Sequence, residues 1–170
     1  LLAVGDIARC AGTGDEQAAA VAAGIPGTIA TLGDHVYDNG TAAEFAQCYD
    51  PGWGGALKAR TRPAPGNHEY NTPGAAGYYG YFGAAAGDPT KGYYSYTVGS
   101  WRVIALNSNC TAIGGCGAGS PQEQWLRQTL AASTSACTSC SPTTWCCWSP
   151  PRAARPTCWA PAKRRARPAR

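Results

Sequence analysis

Two short apolar runs that each stop at Gly-Asp constrain this chain more than any other feature: LLAVGD, ending at Asp6, and GTIATLGD, ending at Asp34. Between them lies alanine-rich DEQAAAVAAG, which has the composition of a helix and closes on a glycine. Strand, helix and strand, with an acid at each strand end, is how an open α/β sheet begins. Such a sheet gathers side chains from several strand-end loops into one crevice. Further along, TAAEFAQCY reads as a short helix and TRPAPGNHE as an extended segment ending in a loop. GYYSYTVGSWRVIALNS reads as two strands joined at Gly99 and Ser100.

SPQEQWLRQTLAAS carries the clearest helix signal. Ser120 can cap it, Pro121 suits the first turn, and Glu123 completes a capping-box spacing. Trp125, Leu126 and Leu130 make an apolar face expected to pack on the sheet. The Gly-, Ala- and Tyr-rich stretch between Tyr70 and Gly92 reads as a loop excursion. Tyr78, Tyr79, Tyr81 and Phe82 there are either packing anchors or a substrate-facing wall.

At 170 residues the chain amounts to about one domain. No run reaches the roughly 18 apolar residues of a membrane helix, so it reads as soluble, with no membrane partner. Its charge divides sharply: residues 1–138 hold all ten acids, whereas 139–170 hold seven basic residues and no acid. The second segment also concentrates Cys, Trp and Pro and has neither helical nor strand periodicity. WCCWSPPRAARP is what a GC-rich gene yields when translated out of frame. The preferred reading is therefore a partial domain over 1–138, a frameshift near Thr138, and a non-native or disordered tail over 139–170. Nucleic-acid binding by Lys163, Arg164, Arg165 and Arg167 is a distant alternative, because natural basic tails are poor in Trp and Cys. LLAVGD starts abruptly, without a charged leader, so the chain is expected to be a fragment at both ends.

Cys10, Cys48, Cys110, Cys116 and Cys137 precede residue 139, and none of the five has a CxxC or His-linked zinc spacing. Cys110 and Cys116 share a Gly-rich loop that can fold back to join them, and Cys10 and Cys48 can pair across loops that follow two strands. Disulfides persist in oxidising compartments, which implies an exported protein; free buried thiols in a cytosolic protein are the alternative.

The chemistry lies in three strand-end loops: GDIA with Asp6, GDHVYDNG with Asp34 and Tyr37, and GNHEY with Asn67 and His68. A single Gly-Asp is a weak signal, since Asp beside Gly often only caps a helix or completes a turn. The ordered combination is far more specific. It resembles the calcineurin-like metallophosphoesterases over residues 1–138, and among them the purple acid phosphatases and their bacterial relatives. Family members that bind two ordinary divalent metals begin with Asp-x-His. Here Ile7 and Ala8 follow Asp6, and Tyr37 takes the place of the missing ligand, as in purple acid phosphatases.

The resemblance implies the amino-terminal portion of a four-layer α-β-β-α sandwich, incomplete at its C-terminus. It also implies two metal ions, Fe(III) with a divalent Fe, Zn or Mn. Asp6 and Tyr37 would bind the first, Asp34 would bridge both, and Asn67 would bind the second. A bridging carboxylate holds two cations together against their repulsion, and a phenolate suits a hard trivalent ion. The implied reaction is attack of a metal-generated hydroxide on a small phosphate ester, monoesters before diesters. His68 would stabilise the transferring phosphoryl group or protonate the leaving group.

His35 lies inside GDHVY but matches no family ligand; a substrate contact or a solvent-facing role is expected of it. Asp38 and Glu69 are expected to orient their neighbours by hydrogen bonds. The family continues with a further His and a Gly-His-x-His loop, whereas this chain has no histidine after His68. Three protein ligands remain for the first metal and two for the second, so the chain as written is expected to be inactive or nearly so. A non-catalytic remnant or phosphate-binding module is the second reading.

Overall fold

The short apolar runs form a parallel sheet in the computed structural model, which describes residues 1–132 and the backbone of 136–140 and 145–149. In chain order, β1 (Leu2–Val4), β2 (Ala8–Arg9), α1 (Gly14–Ala23), β3 (Ile29–Thr31) and β4 (Val36–Tyr37) make up the first part. A short α2 (Ala42–Glu44) then runs into a π-helical segment, Phe45–Gly54, followed by α3 (Gly55–Lys58) and β5 (Thr61–Pro63). After these come α4 (Ala76–Phe82), β6 (Tyr94–Val98), β7 (Trp101–Ala105), α5 (Pro121–Ala131), β8 (Ala136–Cys140) and β9 (Trp145–Ser149). The protein is thus mixed α/β with small sheets.

β1, β3 and β5 pair in parallel in that order, and β2 pairs in parallel with β4, setting Arg9 opposite Tyr37. The third sheet is antiparallel, in the order β6-β7-β9-β8. Strand alternation along β3 divides the core. Ile29 joins a large cluster with Ala19, Ala22, Phe45, Tyr49, Trp53, Tyr78 and Phe82 on the helical side. Ala30 faces the opposite way and packs with Ala64, Val103 and Ala105, so the antiparallel sheet covers the other face. Tyr94 joins the two sheets by donating to the Pro63 carbonyl at 2.7 Å.

Polar groups close the ends of the first helix. Arg60 donates to the carbonyl of Ala22 in the last turn of α1 at 2.6 Å and to that of Gly27 in the following loop at 3.0 Å, tying the helix end to the chain beyond it. The Trp53 indole donates to the Asp15 carbonyl at 3.1 Å from within the core. Two disulfides form, Cys10–Cys48 and Cys110–Cys116, with Cα separations of 4.9 and 5.1 Å. They are compatible with an extracellular protein. Among the described residues no helix is long and apolar enough to cross a membrane.

Several sequence expectations are corrected. The stretch after Tyr70 is not a loop excursion, because it contains α4, whose Tyr78 and Phe82 are buried anchors of the core. Ser120 does cap α5, accepting from the Glu123 N–H, but the Glu123 carboxylate reaches back to the Gly119 N–H and not to that of Ser120. The buried residue of α5 is Gln122, while Trp125 and Leu126 are only half-buried. The boundary at 138 falls inside β8, and β9 lies wholly in the segment that had no strand periodicity. β9 pairs with β7 on the side away from β6. The basic cluster at Lys163, Arg164, Arg165 and Arg167 lies outside the described residues.

Candidate metal centre

Asp6 and Asp34 each follow a strand and a glycine, and both adopt left-handed backbone, with φ of 55° and 50°. That conformation is uncommon for residues other than glycine and concentrates at functional sites. Gly33 and Gly66 explain how the loops meet. A β-carbon on Gly33 would lie 2.6 Å from the Gly66 Cα, and one on Gly66 would lie 2.2 Å from Asp34 Oδ1. Neither loop could approach the other with a side chain at these positions.

The cluster closes around the Tyr37 hydroxyl, which donates to Asp6 Oδ1 and lies 3.4 Å from Asp34 Oδ2. The other oxygen of Asp34, Oδ1, accepts from the His68 N–H at 3.0 Å. Asp34 therefore turns one oxygen towards Asp6 and Tyr37 and the other into the Gly66–His68 loop, where Asn67 is exposed. The structure brings Asp6, Asp34 and Tyr37 together and sets Asn67 and His68 in the adjoining loop. The His68 ring meets the Tyr37 ring edge-on at 4.4 Å, and its Nδ1 donates to the Asp38 carbonyl at 2.7 Å. That bond leaves Nε2 for other partners.

Tyr37 is the most electrostatically loaded group here. Burial, the hydrogen bond to Asp6 and the negative charges of Asp34 and Asp6 all push its phenol well above the usual tyrosine range. Two carboxylates and a phenol on one spot are mutually repelling once ionised, and a hard cation reverses that preference. Asp6, Asp34 Oδ2 and Tyr37 thus fit one hard, oxygen-loving ion. Among the described residues no group of three or more His, Cys, Asp and Glu side chains is placed to hold a metal. The donor set here includes a phenol.

Glu69 organises the site from below. Fully buried, it accepts at Oε2 from the N–H groups of Asp34 and Gly66 at 3.0 and 2.6 Å. Its Oε1 accepts from the His35 N–H at 2.7 Å and faces His35 Nδ1 at 3.2 Å. Burial raises the Glu69 carboxyl, but the adjacent His35 ring and these backbone donors outweigh it and hold the group below the usual range. Glu69 thus ties the backbone of Asp34 and His35 to that of Gly66. Asp38 differs: its carboxylate is exposed and pairs loosely with Arg9 at 3.6 Å, while its backbone carbonyl is what holds His68.

The expectation for His35 is corrected. It faces neither solvent nor substrate, being fully buried among Phe45, Tyr49, Tyr78 and Phe82, with Nε2 2.6 Å from the Thr31 hydroxyl. Its side chain points into the core while its neighbour Asp34 points out.

Sequence reasoning missed the support from the end of β7. Buried Asn107 is clamped by Gln122, which accepts from its N–H at 2.7 Å and donates to its carbonyl at 3.0 Å. Asn107 Oδ1 then accepts from Asn109, whose side chain donates to the Gly66 carbonyl at 3.1 Å. The buried amide at a strand end was the available signal. Arg9 was also missed, although its register opposite Tyr37 places its guanidinium 5.3 Å from that ring.

Fold and site together define a mixed α/β protein with a carboxylate and phenol cluster at its parallel strand ends. Comparisons with protein-family models, curated proteins and solved structures return no match for the chain.

Proposed function

We propose that this chain carries part of a metal-dependent phosphoesterase centre of the calcineurin-like, purple-acid-phosphatase type, in an exported protein, and that phosphate monoesters are its preferred ligands. The observation that supports this most is the convergence of Asp6, Asp34 and Tyr37 at left-handed strand ends. The layering of helices, parallel sheet and antiparallel sheet is compatible with the amino-terminal portion of an α-β-β-α sandwich.

Asp6, Tyr37 and Asp34 would hold a ferric ion, and Asp34 with Asn67 would offer a second, divalent ion (Fe, Zn or Mn) a poorer seat. Bound metals would supply Lewis acidity at the phosphoryl group and an acidified water. The chain's own contribution is positional. Glu69 fixes the backbone of Asp34 and Gly66, the Asp38 carbonyl fixes one nitrogen of His68, and His68 Nε2 is left to meet a phosphoryl oxygen or the leaving group.

The sequence holds two histidines, and His35 is in the core, so His68 is the imidazole left for both metal and substrate duties. Turnover should accordingly be poor. Hydrolysis of an aryl phosphate by the 170-residue chain with ferric and zinc ions is expected at least about a hundredfold below the usual enzyme range of 1–10³ s⁻¹. Whatever activity remains should vanish with a chelator. Full turnover would show that this ligand set is sufficient, and metal-independent turnover would refute the proposed chemistry.

A further inference from the structure

Arg9 belongs to the same strand-end cluster and has no part in holding a metal. We infer that Arg9 binds the terminal oxygens of a phosphate monoester at this centre, an inference that rests on the metal-centre reading above. Three observations carry it. Its partner Tyr37 is a donor of the cluster, and the guanidinium lies against that ring. The surroundings are otherwise acidic, with Asp6, Asp34 and Asp38 all close to Tyr37, so an anionic ligand needs a compensating cation besides any metal. Finally, the Arg9 side chain is 65% exposed and its ion pair with Asp38 is open to water on both sides, at 65% and 72% exposure.

An exposed pair of this kind is weak, and a phosphate can displace the Asp38 carboxylate from it. The planar guanidinium offers two parallel N–H donors that match two oxygens of one phosphoryl group. A monoester dianion presents three terminal oxygens, enough to meet the metal side and Arg9 together. A diester presents two and carries half the charge.

The test is calorimetric titration of inorganic phosphate, phenyl phosphate and diphenyl phosphate into the ferric-loaded full chain, with the visible tyrosinate-to-iron absorption recorded in parallel. Arg9→Ala is expected to weaken phosphate and phenyl phosphate binding about 10- to 100-fold, the usual cost of a lost charge-assisted contact, with the absorption unchanged. Arg9→Lys should recover part of the loss, since it restores the charge without the fork. Asp38→Asn should leave phosphate binding equal or tighter, because it releases Arg9.

Unchanged phosphate affinity in Arg9→Ala would overturn the inference, as would an Asp38→Asn loss equal to that of Arg9→Ala, which would mark the pair as a clamp for the His68 loop. Equal losses for the monoester and the diester would overturn the monoester selectivity. Absence of the absorption in the unaltered chain would remove the metal centre itself, and the role of Arg9 with it.

Discussion

Replacing Glu69 with alanine is expected to destabilise the fold by about 3–5 kcal/mol, because it removes a buried carboxylate that is the acceptor for several hydrogen-bond donors. The alanine would strand three backbone N–H groups, those of Asp34, His35 and Gly66, together with His35 Nδ1, in an interior that admits no water to Glu69. Each orphaned donor carries a desolvation cost of about 1–3 kcal/mol, partly relieved by relaxation. A urea titration at constant m-value reads the effect directly. Glu69→Gln should cost less, because one oxygen survives to accept. The carboxyl is held below its ordinary value, so its stabilisation is present above about pH 4.5 and is lost as pH falls through the lowered folded-state value. A loss under about 1 kcal/mol for Glu69→Ala would mean that the loops find other partners and that Glu69 does not organise them.

The second large effect concerns Asp34. Asparagine tolerates left-handed backbone and can still accept from the His68 N–H, so Asp34→Asn should leave the fold intact while removing the charge between the two metal positions. Losing a group that merely supports a ligand costs roughly 10- to 100-fold in metal affinity, and losing the shared ligand should cost on the order of 10³-fold. Ferric affinity, measured by competition with a chelator, should fall by that factor while the urea midpoint holds. Unchanged affinity would mean that Asp34 is no ligand and that its left-handed turn serves packing alone.

Much of the site could be read in the sequence, because each piece is local. A strand ending in Gly-Asp places its acid at the sheet edge whatever follows. The Gly33 and Gly66 positions have a reason that only the structure supplies, namely that one loop lies on the other. His35 could not be placed from its surroundings in sequence. Its burial depends on Glu69 and on aromatic residues of α4 and the π-helical segment, all far along the chain. The same holds for Asp38, where a backbone carbonyl and not the visible carboxylate does the orienting.

The fold was legible where periodicity and length agreed, as in α1, the β6–β7 hairpin and α5. It was illegible where composition misled. TAAEFAQCY reads as a short helix, yet Phe45–Gly54 runs on past Tyr49 and through Pro51 as a π-helix whose Phe45, Tyr49 and Trp53 reach the core. The glycines and aromatic residues of AGYYGYF are weak helix formers, and tertiary burial of Tyr78 and Phe82 is what holds α4 in place.

The central claim is that Asp6, Asp34 and Tyr37 form one hard-metal centre, and ferric titration of the intact chain followed by visible absorption tests it most directly. Tyrosinate bound to ferric iron absorbs visible light by charge transfer. The expected result is a band that saturates near one equivalent, disappears in Tyr37→Phe and persists in Arg9→Ala. A chain that takes up no ferric ion, or one whose band survives the loss of the Tyr37 hydroxyl, would contradict the account.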